Sequence, residues 1–121
     1  MTKRILVVED TEDNRQIMRD LLGAAGFEMI EAEDGAAGVA AAEREKPDLI
    51  LMDIQLPVMD GYEATRRIKA NPELRHIPIL AVTSYALSGD EEKARAAGCD
   101  GYVTKPFSPR QLLAKVREHL G

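Results

Sequence analysis

The chain has 121 residues, of which 45% are hydrophobic and 31% charged, a composition that builds one domain with a core and leaves no room for a second. Its apolar runs fall short of the roughly 18 residues that cross a bilayer, and its first residues do not read as a signal peptide, so we expect a cytoplasmic protein without membrane insertion. The formal charge of -5 disfavours direct binding to nucleic acid, whose phosphates attract Lys and Arg.

Short apolar runs rich in β-branched residues alternate along the chain with longer segments of helical period. In chain order, the predicted strands are residues 5–8, 29–32, 49–52, 79–82 and 101–103. The predicted helices lie near residues 14–25, 36–45, 62–70, 90–97 and 109–120. This alternation is typical of a parallel sheet with helices on both faces, so we predict a doubly wound α/β fold.

The predicted helices are bounded by residues that suit their ends. Gly26 and Gly98 follow the first and fourth helices, where a left-handed residue often ends a helix, and Pro47 follows the second. Short polar residues are the predicted N-caps of the last four helices: Asp34, Asp60, Ser88 and Ser108. For the third helix Gly61 is an alternative cap to Asp60.

Polar side chains follow four of the five predicted strands. In chain order they are Glu9 and Asp10, Asp53, Thr83 and Ser84, and Thr104 and Lys105. In an open parallel sheet, the functional crevice lies beyond the carboxyl ends of the strands. One acidic loop alone is more often a solvated turn, but these residues together predict a site at that edge.

The charges of this set predict a metal ion. Three carboxylates gathered in a partly dry crevice repel one another, and Lys105 supplies one compensating charge. Carboxylates with waters and a carbonyl are oxygen ligands that suit Mg²⁺. We therefore expect Mg²⁺ as the cofactor, held in part by Glu9 and Asp10.

The same residues indicate phosphoryl transfer. An ionised carboxylate can attack phosphorus and form an acyl phosphate, and Asp53, at the end of a buried strand, is the candidate nucleophile. We expect Asp53 to be ionised at neutral pH, so that no general base is needed. Lys105 and the Thr83 hydroxyl would contact the phosphoryl oxygens that the metal leaves free.

Four segments carry these residues in order, about 40, 30 and 20 residues apart. They are residues 8–10 (VED), 51–61 (LMDIQLPVMDG), 81–84 (AVTS) and 102–107 (YVTKPF). The segments resemble those of CheY-like receiver domains of bacterial two-component response regulators, and the resemblance extends over the whole chain. We therefore expect residues 1–121 to form one receiver domain. Within the family, residues 48–57 and 89–92, followed by Gly98 and Cys99, resemble those of the stand-alone DivK-type cell-division regulators. Receivers of hybrid histidine kinases or phosphorelays are similar as well.

The resemblance implies a fold and a site. The fold is a flavodoxin-like sheet of five parallel strands in the order 2-1-3-4-5, with five helices on its two faces. Asp53 accepts a phosphoryl group from a histidine kinase or a histidine phosphotransfer protein. Mg²⁺ is held by Glu9, Asp10, Asp53 and the backbone carbonyl of Gln55.

The resemblance also implies a switch. The Thr83 hydroxyl moves to the phosphoryl group, Tyr102 turns inward, and the face made by the fourth helix, fifth strand and fifth helix signals to a downstream protein effector. The bond before Pro106 is expected to be cis. Ser84 departs from the family pattern, in which Ala is more usual at this position. Tyr85 occupies a variable position that flanks the pocket, and we expect it to shield the acyl phosphate from water.

Three other functions fit parts of the pattern. A flavin-binding electron carrier shares the topology, but the acidic, glycine-free loop after the first strand would repel the FMN phosphate. A hydrolase acting through an Asp53 intermediate lacks a positioned acid or base, although Glu12 or Asp13 could approach. A partner-binding domain with an inert acidic loop is the third, and a magnesium titration tests it.

The apolar residues of the first predicted helix have two interpretations. They are Ile17, Met18, Leu21 and Leu22. They could offer a kinase helix an apolar surface beside the pocket, but their helical spacing favours packing in the core.

Overall fold

The structure, a computed structural model, describes residues 2–83, 90–105 and 107–120, with the side chain of Asp90 left out. Within these ranges the strands are β1 (Arg4–Val8), β2 (Glu28–Ala32), β3 (Leu49–Asp53), β4 (Ile79–Thr83) and β5 (Gly101–Thr104). The helices are α1 (Glu12–Ala24), α2 (Gly35–Glu45), α3 (Gly61–Ala70), α4 (Asp90–Ala97) and α5 (Pro109–Leu120).

The strands form one parallel sheet in the order β2-β1-β3-β4-β5. The predicted fold class and strand order are confirmed. Each predicted strand and helix is present, and the largest shift of a boundary is at α1, which begins at Glu12 rather than near Asn14. The two extra residues follow Thr11, whose extended backbone at the N-cap lets the helix start at Glu12.

The core has two layers because side chains of a strand alternate between the faces of the sheet. Leu6 and Val8 of β1 face α2, α3 and α4, whereas Ile5 and Val7 face α1 and α5. Strands β3 and β4 follow the same alternation and are buried throughout. Each fully buried Leu or Ile contributes about 1.5–3 kcal/mol, so these strands hold the sheet edge that carries the site in place.

Polar side chains start three of the helices where the sequence predicted caps. Side-chain oxygens of Asp34, Asp60 and Ser108 accept the backbone N–H three residues later, at 2.7, 2.9 and 3.0 Å. Asp60 is thus the cap of α3, which settles the choice between Asp60 and Gly61. Ser88 lies outside the described residues.

Left-handed residues follow three helices. Gly26 has φ 90° and Gly98 has φ 111°, as predicted from their places after α1 and α4. After α2 the left-handed residue is Lys46, with φ 45°, and Pro47 follows it. The helix stops there because proline disfavours the helical conformation of the residue before it.

Two helices begin with glycine because their neighbours leave no room for a side chain. A Cβ on Gly61 would collide with the carbonyl oxygen of Asp53, and one on Gly35 with the carbonyl oxygen of Met59. Helix α3 therefore packs directly against the end of β3, which carries Asp53, and α2 packs against the segment between β3 and α3.

The helices are amphipathic rather than apolar throughout. In α1, Met18 and Leu22 are buried and Leu21 is half-buried, which confirms core packing for these residues. Ile17 is 55% exposed and does not belong to the core. None of the helices in the described ranges has the length and apolar character that a membrane span needs.

Candidate functional site

Three carboxylates meet at the carboxyl-terminal edge of the sheet. Glu9 follows β1 and is 3% exposed, and Asp53 ends β3 and is 7% exposed. Asp10 is exposed. One oxygen of each residue lies within 4.8 Å of the others. The parallel strand ends thus bring the three acids together, two of them inside the protein.

The ammonium group of Lys105 lies between the two buried acids. Its Nζ donates to Glu9 Oε1 at 2.7 Å and lies 3.3 Å from Asp53 Oδ2. The backbone N–H of Lys105 donates to the Thr83 carbonyl at 2.6 Å, which continues the pairing of β4 with β5. Lys105 therefore brings one positive charge to three carboxylates and leaves the site acidic.

The pKa of Asp53 is raised from 3.8 to about 7. Burial is the largest cause, followed by the hydrogen bond and charge of Glu9, while Lys105 and the Gln55 backbone N–H act in the opposite direction. The expectation that Asp53 is fully ionised at neutral pH is therefore wrong for the metal-free site. The desolvation of the carboxylate, which the sequence does not reveal, outweighs the attraction of Lys105.

The neighbouring carboxyl group shifts the other way. Burial by itself raises the pKa of Glu9, but hydrogen bonds with Asp53, Lys105 and Asn14 outweigh burial and lower the pKa to about 2. For Lys105, a base, burial by itself lowers the pKa. The hydrogen bond with Glu9 and the charge of Asp53 outweigh burial and raise the pKa of Lys105 above its usual value. Glu9 and Lys105 form an ion pair. Near pH 7 about half of the Asp53 carboxyl groups carry the proton that a cation would replace.

This donor set fits Mg²⁺. All three side chains offer carboxylate oxygens, which hard divalent cations prefer, and Asp10 is exposed toward solvent, where waters complete a shell. The raised pKa of Asp53 is a second indication, because a buried carboxylate that lacks sufficient positive charge holds a proton instead. Glu9, Asp10 and Asp53 are therefore suited to hold the cation.

A cleft of about 480 Å³ opens beside the carboxylates. Asp10, Gln55 and Thr83 line it, and Thr83 is 3% exposed. Lys93 of α4 lies at the same cleft, a cation that the sequence did not single out. The cleft thus places Asp10 on the same surface as Thr83, the residue whose hydroxyl is expected to contact a phosphoryl group.

The segment between β3 and α3 is fixed by its backbone. Gln55 N–H lies 3.3 Å from Asp53 Oδ1, and Gly61 N–H donates to the Ile54 carbonyl at 2.9 Å. Between them Val58 has φ 69°, a left-handed conformation that costs a β-branched residue about 1–3 kcal/mol. Val58 is 83% exposed, so the turn presents an apolar side chain to solvent beside the cleft.

Two residues that sequence reasoning missed support Glu9. Asn14 Nδ2 donates to Glu9 Oε1 at 2.7 Å, and Arg15 Nη1 donates to the Glu9 carbonyl at 2.7 Å. One signal for Arg15 was present, because it stands three residues before Met18 and seven before Leu22 on the buried stripe of α1. A charged residue in that register needs a buried partner.

The predicted switch residues are described in part. Thr83 is buried at the end of β4, and Tyr102 is half-buried on the adjacent strand β5. Ser84, Tyr85 and Pro106 lie outside the described residues. The cis bond before Pro106 and the shielding by Tyr85 therefore stay predictions.

Comparison with known proteins identifies the family. The model of the response regulator receiver domain matches residues 5–117. The chain is 46% identical to the polar-differentiation response regulator DivK of Brucella ovis, over 100% of this chain and 98% of that protein. The corresponding protein of Brucella anthropi is 45% identical over the same shares.

Solved structures give the same result. The receiver domain of the sensor histidine kinase PA1611 from Pseudomonas aeruginosa, which has a magnesium ion coordinated in its active-site cleft, is 40% identical with a TM-score of 0.93, covering 100% of this chain and 99% of that one. The chemotaxis protein CheY4 of Vibrio cholerae is 30% identical with a TM-score of 0.92, covering 98% of both chains. The chain therefore belongs to the family of response regulator receiver domains.

Proposed function

We propose that residues 1–121 act as one receiver domain in which Asp53 accepts a phosphoryl group from the phosphohistidine of a histidine kinase or a histidine phosphotransfer protein. The observation that carries the proposal is the pairing of a 7% exposed Asp53 with Lys105, at 3.3 Å, beside two further carboxylates. Membership of the receiver family supports the donor, since receivers are the signalling partners of histidine kinases.

The reaction follows from the positions of these side chains. One oxygen of Asp53 attacks phosphorus, a new P–O bond forms, and the P–N bond of the phosphohistidine breaks with its electron pair left on the imidazole. Lys105 and Thr83 contact the phosphoryl oxygens and offset the charge that the transfer gathers at Asp53. Asp53 must be ionised to attack, so its proton is released to solvent before the transfer, as it would be when a cation binds.

Mg²⁺ is the proposed cofactor, held by Glu9, Asp10, Asp53 and the backbone carbonyl of Gln55. When bound, it supplies positive charge to the carboxylates and to the phosphoryl oxygens. The magnesium ion in the cleft of the Pseudomonas aeruginosa receiver supports this choice. Glu9 and Asp10 would position the cation, and the Asn14 amide, which donates to Glu9 Oε1 at 2.7 Å, would orient Glu9.

A response regulator receiver domain is a signalling protein. We propose that this one catalyses the phosphorylation and the slow dephosphorylation of its own Asp53, without turnover of a free substrate. Among the described residues, neither histidine follows the carboxyl end of a strand: His76 lies in the turns after α3, and His119 lies in the last turn of α5, beside Gly101 at the start of β5. Neither is placed to act as the general acid or base that a hydrolase needs.

The proposed output is phosphorylation-dependent binding of a downstream protein effector. Thr83 and Tyr102 couple the site to the face made by α4, β5 and α5. A groove of about 340 Å³ beside Tyr102, lined also by Gln111, Lys115 and Glu118, supports a protein contact there. The formal charge of -5 favours a protein partner over direct binding of nucleic acid. We propose that this partner is met in the cytoplasm.

Two contexts fit the receiver. The identity of 46% to a regulator of which the chain covers 98% favours a DivK-type regulator. The 40% identity to the receiver of a sensor histidine kinase favours the alternative, a receiver in a hybrid kinase or phosphorelay. Transfer from phosphorylated Asp53 onward to a histidine phosphotransfer domain, faster than hydrolysis, would indicate the relay, whereas hydrolysis without transfer supports the DivK-type regulator.

The acceptor is tested by intact mass after incubation with Mg²⁺ and a small acyl phosphate donor. We expect the wild type to gain one phosphoryl group and Asp53→Asn to gain none. Asp20→Asn is the matched control, since Asp20 is exposed on α1 and its side chain accepts a hydrogen bond from Gln16, away from the carboxylates of the site. A chelator should prevent the gain, and equal labelling of wild type and Asp53→Asn would place the acceptor elsewhere.

A further inference from the structure

Arg15 is a buried charged residue on the apolar stripe of α1. It is 7% exposed and shares this face with Met18 and Leu22. A buried guanidinium group must be paired, and the partners that it selects show what it holds. Its partners belong to three different segments of the chain.

The shortest contact to the backbone joins Arg15 to the acidic loop. Nη1 donates to the carbonyl oxygen of Glu9 at 2.7 Å, in a buried hydrogen bond. Nη2 donates to Glu12 Oε2 at 2.7 Å, in the first turn of α1. Nε lies 3.4 Å from Glu31 Oε1 on β2, and Nη2 lies 3.6 Å from Glu33 Oε1 beyond it. The guanidinium group thus joins the loop after β1 to the end of the neighbouring strand.

The Glu9 carbonyl belongs to the peptide group that also contains the Asp10 N–H. That N–H donates to Glu9 Oε2 at 3.0 Å, so the peptide plane orients the Glu9 carboxylate and sets the direction in which the Asp10 side chain leaves the backbone. The planar guanidinium group of Arg15 donates to this carbonyl and also contacts Glu31 on β2, so it fixes the plane of the Glu9-Asp10 peptide. This peptide thus holds the two acids that follow β1 where one oxygen of each lies within 4.8 Å of an Asp53 oxygen.

We propose that Arg15 is a positioning residue for the cation site: its hydrogen bond to the Glu9 carbonyl holds the Glu9-Asp10 peptide in the orientation that binds a divalent cation. The inference rests on the proposed function, because it concerns the same cation. Residues that orient metal ligands without touching the metal commonly contribute 10- to 100-fold, as order-of-magnitude estimates, to affinity. We therefore expect about a tenfold effect from the loss of this contact.

Arg19 provides a matched control. It lies one turn further along α1 and pairs with Glu12 at 3.5 Å and Glu31 at 2.6 Å, two of the acids that Arg15 contacts. Its recorded bonds do not include the Glu9 carbonyl, and its side chain is 36% exposed. Replacement of Arg19 removes one charge and two shared ion pairs but leaves the Arg15 bond to Glu9 in place.

The experiment measures Mg²⁺ dissociation constants by titration calorimetry for wild type, Arg15→Met and Arg19→Met. We expect the constant to rise about tenfold in Arg15→Met and to stay within about twofold in Arg19→Met. In the metal-free proteins, the Asp10 amide should shift in NMR spectra and exchange faster with solvent only in Arg15→Met. High Mg²⁺ should restore phosphorylation of Arg15→Met, because Asp53, Lys105 and Thr83 are intact.

Arg15→Lys covers the case in which Arg15→Met does not fold. It keeps the charge but loses the planar donor, so we expect an affinity below that of the wild type. A folded Arg15→Met or Arg15→Lys with wild-type affinity and an unchanged Asp10 amide would overturn the inference, as would an equal loss in Arg19→Met. Absence of Mg²⁺ binding by the wild type would instead contradict the proposed function.

Discussion

The ammonium nitrogen of Lys105 lies 2.7 Å from Glu9 Oε1, although 96 residues separate the two in sequence. The same nitrogen lies 3.3 Å from Asp53 Oδ2. One cation thus links the ends of β1 and β3 to the residue that follows β5. Because the Lys105 ammonium group already offsets the negative charge of the two buried acids, it competes with any metal ion that these acids bind.

Replacement of Lys105 by Met should separate metal binding from phosphoryl transfer. Without the ammonium group, Glu9 and Asp53 have less positive charge nearby, so Mg²⁺ should bind more tightly. The phosphorylation rate should fall by about a hundredfold, because a donor to the phosphoryl oxygens is lost. Calorimetry and intact mass measure the two effects, with Lys115→Met, an exposed change on α5, as control. Weaker Mg²⁺ binding in Lys105→Met would contradict the prediction.

Mg²⁺ affinity should depend on pH through Asp53. Burial raises the pKa of Asp53 to about 7, and the cation must displace that proton. The ionised fraction increases from about a tenth at about pH 6 to about nine tenths at about pH 8, so the affinity should increase about tenfold. Calorimetry at the two pH values checks this, and Asp53→Asn should show a smaller dependence. Equal affinity of the wild type at both values would mean that Asp53 is already ionised.

The stability of the metal-free protein should fall as pH rises through the same range. Because the folded pKa of Asp53 is raised, its contribution to stability is fully present below its ordinary pKa of 3.8 and is lost as pH passes about 7. Glu9 has a lowered folded-state pKa of about 2, so its contribution to stability is present above its ordinary pKa of 4.5 and is lost only as pH falls below that value.

Urea unfolding with a chelator measures this effect. Relative to Asp53→Asn, the wild type should lose roughly 1–3 kcal/mol of unfolding free energy between about pH 5 and about pH 8. Added Mg²⁺ should restore part of the lost unfolding free energy of the wild type, since the cation binds only the folded protein. A stability difference between the two proteins that does not change with pH would contradict the raised pKa.

Gly35→Ala should disturb the site from outside it. The new Cβ collides with the Met59 carbonyl, so α2 or the segment between β3 and α3 must move, at a cost of about 1–3 kcal/mol. Because Gln55 belongs to that segment, we expect Mg²⁺ affinity to fall with stability. Gly23→Ala is the control: a Cβ there meets nothing within 4 Å, and alanine in a helix stabilises by about 0.5–1 kcal/mol. Wild-type affinity and stability in Gly35→Ala would show that the contact yields without cost.

The elements and the place of the site could be predicted because both depend on local patterns. The alternation of strands and helices follows from hydrophobic period and end residues such as Asp34 and Gly98. In parallel strands, residues directly after the strand ends share one edge, which predicted that Glu9, Asp53 and Lys105 would lie together. The resemblance added the strand order, which no local pattern contains.

The sequence by itself thus determined the sheet, the acidic edge and the candidate acceptor, because these depend on which residue types follow each strand. Only the tertiary structure decided the protonation of Asp53, the bond from Arg15 to the Glu9 carbonyl and the contact of Gly35 with Met59. Each of these depends on distance and burial. Desolvation and steric exclusion act between atoms that are neighbours in space, and their neighbours are set by packing rather than by position in the chain.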